Sequence, residues 1–138
     1  MKKNSGFTFI EMLVVITIIA VLTMVGVTNF RVANQKARDG KRQGDLEQIR
    51  AALELYRTDE KIYPLGITFG DPLESPAGTV YMGKVPDDPL DAYSYYYSSD
   101  GLAYTLCAAL ELETTGSCTG SPGCGTGVDC NYEVSSPL

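Results

Sequence analysis

Hydrophobic residues follow three regimes along the chain. From Phe7 to Phe30, FTFIEMLVVITIIAVLTMVGVTNF, 24 residues are almost wholly apolar and Glu11 is the only charge. A helix of that length is roughly 36 Å long, enough to cross a hydrocarbon core of about 30 Å. Further on a helical period takes over. Leu46, Ile49, Ala52, Leu53 and Tyr56 fall within an arc of about 120°, while Glu47, Arg50, Glu54 and Arg57 alternate in sign on the other side. The helix is expected to end near Lys61, because Tyr63 precedes Pro64 and is pushed out of the α region. Its middle is the weak part, since Gly26, Thr28, Asn29, Gly40 and Gly44 lower helix propensity, and a bend or local melting is expected there.

After Tyr63 the pattern changes again. Residues 64–86 carry four prolines and four glycines without helical period, which predicts a connecting loop with a short strand near Thr79 to Met82. Tyr93 to Ser98 and Ala103 to Glu113 are β-prone runs joined across Ser99-Asp100-Gly101, a hairpin signal. In the second run Tyr104, Leu106, Ala108, Leu110 and Leu112 alternate with Thr105, Cys107, Ala109, Glu111 and Glu113, so one face is expected to cover the helix. The tyrosines 93 and 95–97 are read as strand packing rather than an adhesive or electron-carrying surface. The fold class is therefore α+β, one long N-terminal helix packed on a small antiparallel sheet.

Charge divides the chain. Residues 1–63 hold ten of the eleven Lys and Arg against seven acids, and residues 64–138 hold Lys84 against ten acids. A net charge of -6 argues against generic nucleic-acid binding. The absence of His removes the commonest metal ligand and the usual near-neutral acid-base group. No nucleophile and base stand out, so the chain is not expected to be an enzyme.

Lys2 and Lys3 ahead of the apolar run also fit a secretory signal peptide. The length of the run, the lack of a small-x-small cleavage site and Glu11 count against it. An acid at the centre of a membrane helix costs about 2.5 to 3.5 kcal/mol and less near the interface, so Glu11 is expected to have a partner. A cut between Gly6 and Phe7 supplies one, the new α-amino group four residues before Glu11.

KKNSG followed by FTFIEMLVVITIIAVL resembles the leader and N-terminal helix of type IV pilins and type II secretion pseudopilins. VPDDPLDAYSYYYSSDGLAYTLCAALE and DLEQIRAALELYRTDEKIYP are similar to the sheet entry and helix end of the major pseudopilins. The resemblance implies cleavage after Gly6 by a prepilin peptidase, N-methylation of Phe7, and polymerisation with other copies or pilins by an assembly ATPase and platform protein. It divides the chain into a leader, 1–6, a membrane and filament-core helix, 7–30, an amphipathic continuation, 31–63, and an extracytoplasmic loop and sheet region, 64–138. The family often has Pro where this chain has Thr28 and Gly where it has Ala20.

The Lys and Arg count is ambiguous for orientation, because Arg31, Lys36, Arg38, Lys41 and Arg42 closely follow the span. The family and four cysteines in the tail favour a cytoplasmic N-terminus in the inner membrane and an oxidising exterior for the rest. The basic run is expected to touch lipid headgroups or, more sharply, acids of adjacent copies. Losing Lys2 and Lys3 takes the net charge from -6 to -8, and like-charged subunits need a basic strip to associate.

Cys107, Cys118, Cys124 and Cys130 permit three full pairings, of which Cys107 with Cys130 and Cys118 with Cys124 are expected. Zinc is disfavoured without His or CxxC. Asp87, Asp88 and Asp91 are weak calcium candidates; major pseudopilins bind calcium in their C-terminal β loops, but no such loop is recognisable here, and no cofactor is expected. The leading reading is a structural subunit of a type II secretion pseudopilus or type IV pilus. A minor pilin acting in adhesion or DNA uptake is the alternative.

Overall fold

The structure, a computed structural model, describes residues 6–113, 116–120 and 123–136; the leader expected at 1–6 lies outside them except for Gly6. The chain divides into two compact units, residues 1–35 and 36–138. Helix α1, Phe9–Glu60, contributes to both. It ends one residue before the expected stop. Lys61 adopts the left-handed conformation, φ 66°, and its N–H donates to the Arg57 carbonyl, the usual way of turning a chain off a helix. Of the bend or local melting expected around Gly26, Thr28, Asn29, Gly40 and Gly44, local melting is not seen, since α1 is helical from Phe9 to Glu60.

In the first unit the described large apolar side chains of α1 are exposed, among them Phe9, Ile10, Ile16, Val21 and Leu22. None of its most apolar window is buried. In the second unit the predicted stripe Leu46, Ile49, Ala52, Leu53 and Tyr56 forms the core with Tyr63, Leu73, Val85, Tyr95, Tyr104, Leu106, Ala108 and Val134.

Strands β1, Leu73–Glu74, and β2, Val80–Met82, form a small antiparallel pair inside the proline-rich connection. Strands β3, Tyr96–Ser99, β4, Tyr104–Ala108, and β5, Tyr132–Ser135, form an antiparallel sheet in the order β3-β4-β5. The β3-β4 turn is the one predicted. Gly101 has φ 88° and the Asp100 carboxylate accepts the N–H groups of Leu102 and Ala103, each at 2.8 Å, the local bonding that makes Asp a turn residue. Those two backbone donors, Ala103 first, hold the Asp100 carboxyl below its ordinary pKa.

Alternation along β4 gives the sheet two faces. Tyr104, Leu106 and Ala108 cover α1, whereas Cys107 faces a second core built of Cys107, Ala109, Cys124 and Cys130. Alternation was expected to reach Leu112, but the ladder stops at Ala108 and Leu112 is exposed. The reason lies on the helix. Asp39 accepts the N–H groups of Glu111 and Leu112 at 2.9 and 3.0 Å and draws the chain out of the sheet.

The disulfides differ from those expected. Cys107 is joined to Cys118 and Cys124 to Cys130, not Cys107 to Cys130 and Cys118 to Cys124. Register explains it, because β4-β5 pairing sets Glu133 opposite Cys107 and leaves Cys130 three residues along the ladder. Cys124 reaches Cys130 through a tight turn, in which the Cys124 N–H donates to the Val128 carbonyl at 2.7 Å and Gly125 and Gly127 have positive φ.

Candidate assembly site

Two groups of residues stand out, one in each unit. In the first, Thr8 precedes the first helical residue and Glu11 lies in the first turn. The Glu11 N–H donates to Thr8 Oγ1 at 3.4 Å, while the Thr8 N–H and hydroxyl donate to Glu11 Oε2 at 3.5 and 3.4 Å. This reciprocal arrangement is a capping box, which satisfies donors that a helix start leaves unpaired. The lone acid of the apolar segment is thus answered by its own helix. Phe7, three-quarters exposed, lies immediately before Thr8.

In the second unit Asp39, Arg42 and Asp45 are buried, on the face that carries Leu46 and Ile49. The Arg42 side chain is fully buried and its guanidinium donates to Asp88 at 2.7 and 3.0 Å, to Asp39 at 2.9 Å and to Glu111 at 3.0 Å. It also lies 4.7 Å from the centre of the Tyr93 ring. Arg38 forks onto Glu111 with two bonds of 2.6 Å. One turn along, the Tyr95 hydroxyl donates to Asp45 at 2.9 Å. Burial opposes the charge of Arg42, but the bonds to Asp88, Glu111 and Asp39 outweigh it and raise its pKa. The hydrogen bonds from Arg38 and then Arg42 hold the Glu111 carboxyl down to about 2. Burial, with the bond to Asp45, pushes the Tyr95 hydroxyl up.

This cluster corrects an expectation. Arg38 and Arg42 were expected to face acids of adjacent copies, and instead they bind acids of their own chain. Arg31, Lys36 and Lys41 are exposed, and among the described residues none of them forms an ion pair within the chain. The candidate acids are also separated. Both oxygens of Asp88 accept from Arg42, and one of them also accepts the Leu90 N–H, whereas Asp87 and Asp91 are exposed. Among the described residues the group with ligand atoms close enough to share a metal is Cys107, Cys118 and Glu133, whose cysteines form a disulfide.

Asp39, Asp45, Glu111 and Tyr95 escaped the sequence reading as functional residues. A signal was present, since Arg42 and Asp39 precede Leu46 by four and seven residues, which places them on the core face of the same helix.

Comparison with known proteins bears on both units. The family described as the prokaryotic N-terminal methylation motif matches residues 1–27. Type II secretion system core protein G of Vibrio cholerae is 30% identical to the chain, over 94% of the chain and 91% of that protein. The protein of the same name from Aeromonas hydrophila is 30% identical over 64% of the chain and 68% of its own length. That from Klebsiella pneumoniae is 38% identical over 46% of each. No solved structure matches. A methylation motif at the start of an exposed apolar helix, and likeness to core protein G across nearly the whole length, place the chain in the type II secretion system core protein G family, the major pseudopilins.

Proposed function

We propose that this chain is the repeating structural subunit of a type II secretion pseudopilus, stored in the inner membrane through residues 7–30 and then polymerised. The observation that carries this reading is the apolar segment of α1, whose described side chains are exposed. Such a surface needs lipid or other copies of itself. A membrane-anchored structural pseudopilin has no need of a catalytic centre, and likeness to core protein G disfavours the alternative of a minor adhesive or DNA-binding subunit.

In this reading a prepilin peptidase cuts between Gly6 and Phe7, Phe7 is N-methylated, and the N-terminus stays on the cytoplasmic side while residues 64–138 lie outside. On assembly, Glu11 exchanges part of its bonding to Thr8 for the α-amine of Phe7, its own or a neighbour's. A buried pair of this kind sets register more than it adds stability, because desolvation offsets the attraction. The exposed bases Arg31, Lys36 and Lys41 then remain for lipid headgroups or for acids of the next subunit. An ATPase and platform protein of the secretion system would drive the polymerisation. Calcium at Asp87 or Asp91 is not needed in this account.

The test is intact mass measurement of the membrane-extracted protein together with electron microscopy of sheared fibres. The reading expects loss of six residues with gain of one methyl group, and filaments that Glu11→Leu abolishes while processing and membrane insertion persist. A working protein that keeps its first six residues, or that never self-associates, would overturn it.

A further inference from the structure

The second unit carries two exposed patches that differ in shape and in charge. The first is a groove of about 550 Å³ near the N-terminal end of this unit, lined by Gly40, Leu110 and Leu112. A Cβ at Gly40 would meet nothing within 4 Å, so the helix surface is notched there. Leu112 brings an exposed apolar side chain to the same groove. Its charges are Lys36 and Glu113, which line it, and Lys41 one residue beyond the notch, all three exposed.

The second patch is a knob just past the C-terminal end of α1. Ile62, Leu65 and Leu102 are 47%, 72% and 75% exposed. The backbone gathers them, since the Tyr63 N–H donates to the Gly101 carbonyl at 2.9 Å and a Cβ at Gly101 would lie 3.8 and 3.9 Å from Leu65 and Ile62. Leu102 is the next residue. Clustered apolar side chains of this size mark a contact surface. The charges beside them are Asp59, Asp100 and Lys61, again all exposed.

We infer that the knob of one copy of this chain seats in the groove of a second copy, giving a head-to-tail contact between their globular units. This rests on the reading of the chain as a filament subunit and names a contact of that filament. Charge selects the pairing. Asp59 and Asp100 meet Lys36 and Lys41, and Lys61 meets Glu113, whereas knob on knob sets acids against acids and groove on groove sets bases against bases. A contact between two different patches leaves one of each free at the ends, so it propagates as an open filament instead of closing as a symmetric dimer. It also fixes a stagger. Asp59 follows Gly40 by 19 residues on α1, roughly 28 Å of helix, and parallel copies joined in this way are displaced along the helix by about that distance.

The experiment is crosslinking of the full-length chain in cells that assemble fibres, with Gly40→Cys and Leu65→Cys made singly and together and a short bismaleimide as the probe. The native cysteines are held in bridges and do not react. The double variant should give a ladder of multimers, the two single variants expressed together should give a dimer, and either alone should stay monomeric. Lys36→Glu and Asp59→Lys should each lower the yield of sheared fibres, and the two combined should restore it. Gly40→Leu should fill the groove and abolish fibres, while the thermal midpoint of the detergent-solubilised monomer stays at or above that of wild type. Fibres that form without the ladder, or a charge pair that does not rescue, overturn this contact and leave the filament reading standing. A product in which Gly40→Cys is joined to a different protein gives the groove to another partner and overturns it as well. A wild-type chain that keeps its first six residues and forms no fibres removes the filament reading itself.

Discussion

Arg42 is a charge without access to solvent, held by Asp39, Asp88 and Glu111. Removing one member of such a group leaves the others buried and uncompensated, at a cost of about 3 to 5 kcal/mol. Arg42→Met should therefore lower the thermal midpoint of the detergent-solubilised protein steeply. Arg38→Ala, at a side chain that is 31% exposed, should cost only about 1 kcal/mol. Reversal of Arg42 would accordingly unfold the subunit and cannot serve as a test of assembly. Glu111 makes a pH prediction. Its carboxyl falls from an ordinary 4.5 to about 2 on folding, so its contribution is complete above the unfolded value and disappears as pH falls toward the folded one. Thermal melts of Glu111→Gln across that interval should show a flatter acid limb than wild type. The sequence reading assigned Arg38 and Arg42 to lipid headgroups or to acids of adjacent copies and Asp88 to a weak calcium site, because a charge is usually outside. Burial of Arg42 depends on Asp88 and Glu111, 46 and 69 residues away, and local pattern does not register partners that distant.

At the scale of elements the helix was the most legible part, since a long apolar run and a helical period extend over many residues. Its core stripe and its end near Lys61 were read from five apolar positions and one proline. The hairpin was legible at Asp100-Gly101 for the same local reason. The end of β4 was not, because Asp39 on another element ends the ladder. Two substitutions probe the helix itself. Gly40 and Gly44 have nothing within 4 Å of where a Cβ would stand, so Gly40→Ala and Gly44→Ala should each stabilise the monomer by roughly 0.5 to 1 kcal/mol, read as higher midpoints in denaturant. Lys61→Gly should stabilise by a similar amount, about 0.5 kcal/mol or more, by relieving a left-handed residue that carries a side chain.

For the whole molecule, fold class and family were visible in the first 63 residues and the hairpin, whereas the tail was not. Its two glycine-rich loops are placed by bridges whose partners depend on β5 register, and no periodicity encodes that choice. The tail has little apolar core besides the cysteines, so each bridge is worth roughly 2 to 3 kcal/mol in the chain-entropy model. Reduction under mild denaturant should release the tail first, read as loss of hydrogen-exchange protection in β5 ahead of the α1 segment that packs on Leu106 and Tyr104. The buried ions near residue 39 also have a mechanical meaning. Helix and sheet are joined side by side over residues 39–56, as in a lap joint, and stress in such a joint concentrates at its ends. The end toward the N-terminus is fastened by Asp39 and Arg42, so tension arriving along the helix meets charged rivets before it reaches the greasy seam.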